Sequence, residues 1–236
     1  MSEQDDLDTQ VRGADPDRWL ASRLVGDPDA RADLIALYAF NQELARAPLV
    51  ASQPLVAEMR LAWWREALDE MFEGRRLRGH PVAAALKTAV SRRGLRRDAL
   101  EALVDGRLRD VEGWPLKAEE TLAYLDATAG GLMGLAAQVL APDAAPANTL
   151  HAARAWGLAG LARLAGRLPP DWAGPELVRR VDEARRLAGP EVRGLPIAAF
   201  PAVAYAALSG AYARGARPSE VSRRLRLLAA AALGRV

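Results

Sequence analysis

The sequence predicts an all-α fold, and three observations support that prediction. Apolar residues recur three or four positions apart through most of the 236 residues, which is the spacing of one face of a helix. Runs of β-branched residues, which favour strands, are scarce. Proline and glycine stand where they would begin and end helices of ordinary length. A chain of this size, half of it apolar, can bury a core without disulfides.

Four helices are predicted in the first half of the chain, after an acidic and polar stretch, 1–15, that we expect to be a disordered tail. Asp27-Pro28 offers an N-cap followed by proline at the first helical position, and Pro48 lies just past the expected end of that helix. His80-Pro81 opens the third helix, and Gly94 precedes the fourth. The four predicted helices cover about 28–47, 54–72, 81–90 and 96–111.

Five helices are predicted in the second half. They cover about 117–140, 149–166, 176–188, 197–214 and 219–233. The first of them is rich in small residues at its middle, including Gly130, Gly131 and Gly134. Because glycine inside a helix costs about 1 kcal/mol relative to alanine, we expect another helix or a ligand to approach closely there. With no strand pattern, repeat or long linker, the prediction is a single domain over 16–236.

Composition argues against several kinds of function. The 32 basic and 30 acidic residues give a net charge of +2, which provides no broad field for binding nucleic acid. The lack of cysteine excludes thiolate metal sites and a cysteine nucleophile. Two widely separated histidines, His80 and His151, do not predict a histidine metal site. The sequence also has no glycine-rich phosphate loop and no serine in a nucleophile elbow.

The chain is expected to be cytoplasmic and to have no transmembrane segment. Its acidic first residues do not resemble a secretory or transit peptide, and the most apolar stretch, Ala129–Pro142, is too short to span a bilayer. Six arginine pairs are interpreted as solvated helix ends and faces, with contact to anionic lipid or to an acidic partner as the alternative. These pairs are Arg75-Arg76, Arg92-Arg93, Arg96-Arg97, Arg179-Arg180, Arg185-Arg186 and Arg223-Arg224.

Six segments, in order, carry a resemblance to a known family. They are RADLIALYAFNQELA at 31–45, MRLAWWREALDEMF at 59–72, HPVAAAL at 80–86, LVDGRLRD at 103–110, YLDATAGGLMG at 124–134 and AWGLAGLARL at 155–164. Together they resemble the active-site helices of the squalene/phytoene synthases over about 17–215. The resemblance implies an isoprenoid-synthase-like helical bundle around a central cavity. It places cavity or ligand-binding candidates at Tyr38, Asn41, Ala45, Arg46, Leu49, Arg65, Tyr124, Gly130, Gly134, Leu161, Arg163 and Leu164.

The chain departs from that family where the family holds metal. Asn41 and Gln42 stand in place of the family's cysteine and arginine, and the positions of the aspartates that follow fall on Ala45, Arg46 and Leu49. The segment 155–164 matches the family's helix with the second aspartate motif, here called the second motif helix, yet 161–167 contains no aspartate; the next one, Asp171, follows two prolines. Magnesium takes carboxylate and phosphate oxygens as ligands, so these side chains cannot replace the aspartates. The sequence therefore predicts no catalytic residue, no metal site and no cofactor.

One branch of the family also lacks these acids and acts in the assembly of mitochondrial complex I, with relatives in bacteria. The segment AFNQELA at 39–45 resembles that branch. The resemblance implies a non-catalytic assembly, scaffolding or lipid-binding factor, whose partner would be a membrane protein complex or an isoprenoid lipid. Such a protein would lie in the bacterial cytoplasm or peripherally at the inner membrane. The alternative is an active transferase that condenses two prenyl diphosphates head to head, with magnesium or with Arg46 and Arg163 as a phosphate clamp.

Several other polar residues have a structural interpretation beside a functional one. Glu43 is interpreted as a surface charge near Arg46 rather than as a lone metal ligand. Asp105 and Asp110 are interpreted as surface or local ion pairs, and a cavity role for Asp126 is the less favoured alternative. For Tyr38, Arg65 and Tyr124, cavity lining and helix packing are equally weighted.

Overall fold

The computed structural model describes residues 3–51, 53–77, 79–164 and 166–236, and within these ranges every regular element is helical. The all-α prediction is confirmed. The helices are α1 Glu3–Ala14, α2 Pro16–Ser22, α3 Pro28–Val50, α4 Pro54–Phe72, α5 Pro81–Arg93, α6 Arg97–Glu112, α7 Ala118–Leu125, α8 Gly131–Leu140, α9 Leu150–Leu161, α10 Pro175–Arg193, α11 Ser209–Ala213 and α12 Glu220–Leu233. They form two compact units, one ending at Gly113 and the other beginning at Trp114.

Helix α3 is the centre of the first unit, where it packs against α1, α4, α5 and α6. Its N-terminus forms as predicted, because the Asp27 side chain accepts a hydrogen bond from the backbone N–H of Asp29 and Pro28 occupies the first turn. Phe40 is completely buried and meets Trp64 of α4 edge to face, with ring centroids 5.1 Å apart. This packing fixes the first motif helix against the tryptophan-bearing helix.

The N-terminal stretch differs from the disordered tail that we expected. The structure forms α1 there, and Leu7 and Val11 are buried where α1 packs on α3. Residues four apart share one face of a helix, so even a mostly polar segment can bury two apolar side chains on a neighbour. Asp15 then caps α2 through the backbone N–H of Arg18. The separation of a tail from a domain starting at residue 16 is therefore not seen in the described part of α1.

Helix α3 ends at Val50, three residues beyond the end that Pro48 predicted. A proline near the end of a helix removes one hydrogen bond, the one that its own N–H would donate to the carbonyl one turn earlier. The last carbonyls of a helix accept no intrahelical hydrogen bond in any case, so the helix can continue for a few residues. The extension leaves Leu49 63% exposed. The first motif helix therefore includes all three matched aspartate positions.

A buried carboxylate links α3 to α5. Asp33 accepts hydrogen bonds from Arg92 Nη1 at 3.0 Å and from Arg93 Nε at 2.6 Å, and its side chain is only 3% exposed. One of the predicted solvated arginine pairs is thus an internal ion pair. Hydrogen bonds to a charged group are roughly twice as strong as neutral ones, because the donor and acceptor attract as full charges.

Asp33→Asn is expected to lower the free energy of unfolding by about 2 kcal/mol, because two charge-assisted hydrogen bonds lose their carboxylate. Urea unfolding followed by circular dichroism measures this change. The matched control is Asp29→Asn, since Asp29 lies 3.5 Å from Arg92 but is mostly exposed. An equal loss for both variants would contradict the assigned role of burial at Asp33.

The second unit is organised around α9, which packs against α10 and α11. The predicted long helix 117–140 is present as α7 and α8, joined by a π-helical turn at Asp126–Gly130. The predicted helix near 149–166 ends at Leu161, where tighter i to i+3 bonds from Arg163 and Leu164 close the last turn.

The segment predicted as one helix over 197–214 is instead two 3₁₀ turns followed by α11. Pro201 lies inside the first turn, Ile197–Ala202, where it has no N–H to donate and its ring would clash with the carbonyl four residues earlier, so a regular α-helix is disfavoured there. The second turn, Ala204–Leu208, buries Tyr205 against Trp156 of α9, with ring centroids 5.0 Å apart. The remaining 3₁₀ turns are Pro146–Thr149 and Pro170–Trp172.

Candidate functional site

Helix α3 holds Asn41 in a polar cluster with α6. Asn41 is buried, and its Oδ1 accepts a hydrogen bond from Arg107 Nη2 at 3.3 Å. Arg107 Nη1 also lies 3.3 Å from Asp110 Oδ2, whose side chain is almost completely buried. The Asn41–Arg107–Asp110 cluster contains a compensated charge, so its chemistry is that of a structural link between α3 and α6. The interpretation of Asp110 as a local ion pair agrees with this geometry.

The matched aspartate positions on α3 do not fit magnesium. None of the side chains of Ala45, Arg46 and Leu49 contains an oxygen that could bind a metal ion. Ala45 is partly exposed, and Arg46 and Leu49 are exposed. Within the described ranges, no group of three or more His, Cys, Asp or Glu side chains could hold a metal ion. The nearby Glu43 accepts a hydrogen bond from Gln10 Nε2 of α1 at 3.1 Å. Glu43 therefore binds a residue of α1, whereas the sequence predicted Arg46 as its neighbour.

A surface pocket of about 290 Å³ lies beside this helix within the first unit. Its lining residues come from α3, α4 and the residue before α5, and they are Glu43, Arg46, Ala47, Arg60, Trp63, Trp64 and His80. The two tryptophan rings and the His80 ring lie with centroids 4.9 to 5.2 Å apart. Within the described ranges, neither Arg46 nor Arg60 forms an ion pair. Aromatic walls with two cations suit an anion that has an apolar body, and the pocket has no nucleophile arrangement or metal cluster.

The second motif helix also lacks an acidic pair. Leu161 is buried, Leu164 is exposed, and the guanidinium of Arg163 lies 5.0 Å from the centroid of the Tyr212 ring. Ala165 lies outside the described residues, as does Arg78, two positions after the pair Arg75-Arg76. Asp171 is exposed in the turn Pro170–Trp172. Arg163 is therefore held by a cation–π contact inside its own unit.

The small residues of 126–134 are explained in part by close packing. A side chain at Gly134 would approach the Pro146 Cβ to 3.3 Å, whereas one at Gly130 would meet only ordinary contacts. Gly157 of α9, which sequence reasoning missed, is tighter, because a Cβ there would lie 2.5 Å from Leu125 Cδ2. The signal for it was a glycine inside a helix of small residues. Part of the expected close approach is thus the contact of α9 with α7.

The π-helical turn carries a bidentate ion pair to α9. Asp126 accepts two hydrogen bonds from Arg154 of α9, from Nε at 2.7 Å and from Nη2 at 2.6 Å. The hydrogen bond to Asp126 raises the pKa of Arg154 above its ordinary value. Such a paired fork is rigid and specific. The carboxylate of Asp126 is therefore engaged in packing α9 and is not offered to a ligand.

The aromatic and basic candidates have partners within their own units. Tyr38 is buried, with the Arg18 guanidinium 5.9 Å from its ring centroid, and Tyr124 meets Trp114 edge to face at 5.0 Å. Arg65 is half-exposed and forms an ion pair with Asp105. These contacts account for packing, and their assignment to a cavity stays a prediction.

Most of the arginine pairs are neutralised by neighbouring acids. Arg97 Nε donates to Glu101 at 2.6 Å, and Arg179 donates to Glu176 at 2.7 and 2.8 Å. The hydrogen bonds from Arg179 hold the pKa of Glu176 below its ordinary value. Exposed pairs of this kind contribute little to stability because water and salt screen them. The interpretation of these pairs as helix-surface charges agrees with the geometry.

Two comparisons by sequence identify relatives of the chain. The family model described as squalene/phytoene synthase matches residues 11–178. The rat protein named NADH dehydrogenase (ubiquinone) complex I, assembly factor 6 is 30% identical over 131 residues, which cover 55% of this chain and 39% of that protein. Its homolog in Drosophila melanogaster is 31% identical over 157 residues, 59% of this chain and 45% of that protein. The chain thus spans less than half the length of the curated relatives it matches.

Solved structures share the fold. A dehydrosqualene synthase crystallised with a ligand has a TM-score of 0.73 and 15% identity, covering 98% of this chain and 95% of that one. The squalene synthase HpnC from Alicyclobacillus acidocaldarius has a TM-score of 0.70 and 14% identity, with 98% and 94% coverage. At these identities the likeness shows the fold alone, and it confirms the predicted isoprenoid-synthase-like class. No helix in the described ranges combines the length and apolar character needed to cross a bilayer.

Proposed function

The chain belongs to the squalene/phytoene synthase family, and on that premise we propose that it acts without catalysis, as an assembly or scaffolding factor. One observation carries the proposal: Ala45, Arg46 and Leu49 stand at the family's metal-binding positions on α3, and no metal cluster lies in the described ranges. A diphosphate leaving group needs cations to neutralise it. Without them the fold retains helices that can bind a partner but loses the means to ionise a prenyl diphosphate.

The partner that we propose is a membrane protein complex of the complex I type. The relatives named complex I assembly factor 6 support this choice, as does the segment AFNQELA on α3. Asn41 of that segment binds Arg107, so the distinctive asparagine supports the link between α3 and α6 rather than a reaction. The corresponding location is the cytoplasm, from which the protein would reach its partner at the inner membrane.

A lipid-binding role is compatible with the same fold, since an isoprenoid lipid could occupy a family-type cavity without being converted. The catalytic alternative, head-to-head coupling of two prenyl diphosphates, is less favoured. Its metal-free version needs Arg46 and Arg163 as a phosphate clamp. Arg46 lines the aromatic pocket of the first unit, and Arg163 contacts the ring of Tyr212 in the second unit.

Deletion of the gene in the organism that encodes this chain is expected to lower the amount of intact complex I on native gels. Reintroducing the wild-type chain should restore it, and so should the doubly substituted Arg46→Ala, Arg163→Ala chain, because the proposed role needs no phosphate clamp. Unchanged complex I after deletion would contradict the proposal. Rescue by the wild type but not by the double variant would favour the catalytic alternative instead.

A further inference from the structure

Helix α12 has apolar side chains on two opposite sides. On one side, Leu227 and Ala230 are buried where α12 packs on the turn Ala204–Leu208. On the other side, Val221, Leu225 and Leu228 are 67%, 62% and 55% exposed. A helix that needs only one side to join its fold does not require a second apolar side. The packing of α12 within its own unit therefore does not explain the apolar residues on the exposed side.

The exposed residues form one continuous stripe. At about 100° per residue, positions 221, 225, 228 and 232 fall within an arc of about 60°, roughly opposite the buried side. We name the set Val221, Leu225, Leu228 and Ala232 the α12 stripe; all four residues are exposed. Because the opposite side anchors the helix, the stripe is presented outward without any unfolding of α12.

The charges beside the α12 stripe are mostly positive. Helix α12 contains Arg223, Arg224 and Arg226 but a single acid, Glu220, which pairs with Arg224. Arg226 is exposed and forms no ion pair in the part of the chain that the structure describes. Arg217 precedes the helix, and Arg235 follows it. At about 100° per residue, Arg224 and Arg226 lie on either side of the stripe, whereas Arg223 lies on the buried side of the helix. The stripe is therefore an apolar surface on a helix of net positive charge.

We infer that the α12 stripe binds the surface of a membrane that contains anionic lipid. Aliphatic side chains on one face of a basic helix enter the boundary between headgroups and acyl chains, while arginines beside them pair with lipid phosphates. The stripe consists of valine, leucine and alanine, and valine and leucine are under-represented among the residues that carry most of the binding energy at protein interfaces. It lies outside residues 11–178, the part matched by the family, and the inference is independent of the proposed assembly role.

The test uses the full chain and vesicles in a flotation assay. One set of vesicles is phosphatidylcholine, and the other is equal parts phosphatidylcholine and phosphatidylglycerol. The wild type is expected to float with the anionic vesicles, less so at high salt, because salt screens the arginines. Leu225→Glu combined with Leu228→Glu should weaken binding at least about tenfold, because it replaces inserted apolar area by charge.

Ile197→Glu is the matched control, since Ile197 is 94% exposed in the same unit but lies outside α12. It should bind as the wild type does. Because Leu225 and Leu228 are exposed, the double variant should keep the wild-type circular dichroism spectrum. Failure of the wild type to bind anionic vesicles, equal binding by the double variant, or equal loss in the Ile197 control would overturn the inference. A wild-type dimer that the double variant abolishes would assign the stripe to a second copy and overturn it as well.

Discussion

Incubation of the purified chain with farnesyl or geranylgeranyl diphosphate, magnesium and a reductant is expected to yield no coupled product above background. The departing diphosphate carries several negative charges, and these must be stabilised as they develop. The matched positions on α3 offer two apolar side chains and one arginine, Arg46, and no described group of acids can hold a metal ion. Product analysis by chromatography measures the result.

The expected effect is large because metal ions contribute strongly to this kind of step. A bound ion acts as a Lewis acid worth several kcal/mol. At about 1.4 kcal/mol for each factor of ten, a loss of about 4 kcal/mol lowers the rate about a thousandfold. Relative to a member that binds a metal ion at these positions, we therefore expect a deficit of at least about that factor.

An active squalene or dehydrosqualene synthase, assayed under the same conditions, is the positive control. Turnover above background that disappears on Arg46→Ala or Arg163→Ala would contradict the non-catalytic assignment and would establish a metal-free clamp. Binding of a prenyl chain without turnover would keep that assignment and favour lipid binding as the role. The two readouts are therefore measured on the same preparation.

Arg107→Ala is expected to lower the free energy of unfolding by about 3 kcal/mol. The substitution removes the arginine from the Asn41–Arg107–Asp110 cluster, and it leaves the almost completely buried carboxylate of Asp110 without that cation. Breaking a buried ion pair from one side is costly because the remaining charge stays away from water. Urea unfolding of the purified variant measures the change.

Arg109→Ala on the same helix is the control for loss of an arginine. Arg109 pairs with Glu112, which is mostly exposed, and such a pair contributes no more than about 1 kcal/mol. Similar losses for Arg107→Ala and Arg109→Ala would show that the buried cluster is not special. A second variant, Asp110→Asn, removes the charge and keeps the shape, so it should cost less than Arg107→Ala.

Helices that begin or end at capping residues or prolines could be predicted from the sequence. Asp27-Pro28 specifies the start of α3, and the interval 54–72 is reproduced by α4. Helix α1 was not predicted, because its stability comes from two side chains that pack on α3 rather than from its own composition. The region of Pro201 was predicted as a regular helix because its apolar residues fit either helical form, while the hydrogen bonding that distinguishes them depends on the proline.

The candidate site could be predicted only as far as residue types allow. The lack of carboxylates at positions 45 and 49 can be predicted from the sequence, because the side chains of Ala45 and Leu49 contain no oxygen to serve as a ligand. The aromatic pocket could not, since it combines α3 and α4 with His80, and only packing brings them together. The partner of Asn41 was also inaccessible, because Arg107 lies 66 positions away.

The arginine at the middle matched position of α3 bears on the mutational route between this chain and an enzyme. If Leu49 alone changed to aspartate, the new carboxylate would lie one helical turn from Arg46 and would pair with it instead of binding a cation. If Ala45 alone changed, the site would gain one acid beside a positive charge, which repels a metal ion. Neither first step offers a gain that selection could retain. Under the proposed non-catalytic role, a metal site on α3 would therefore require several coordinated substitutions.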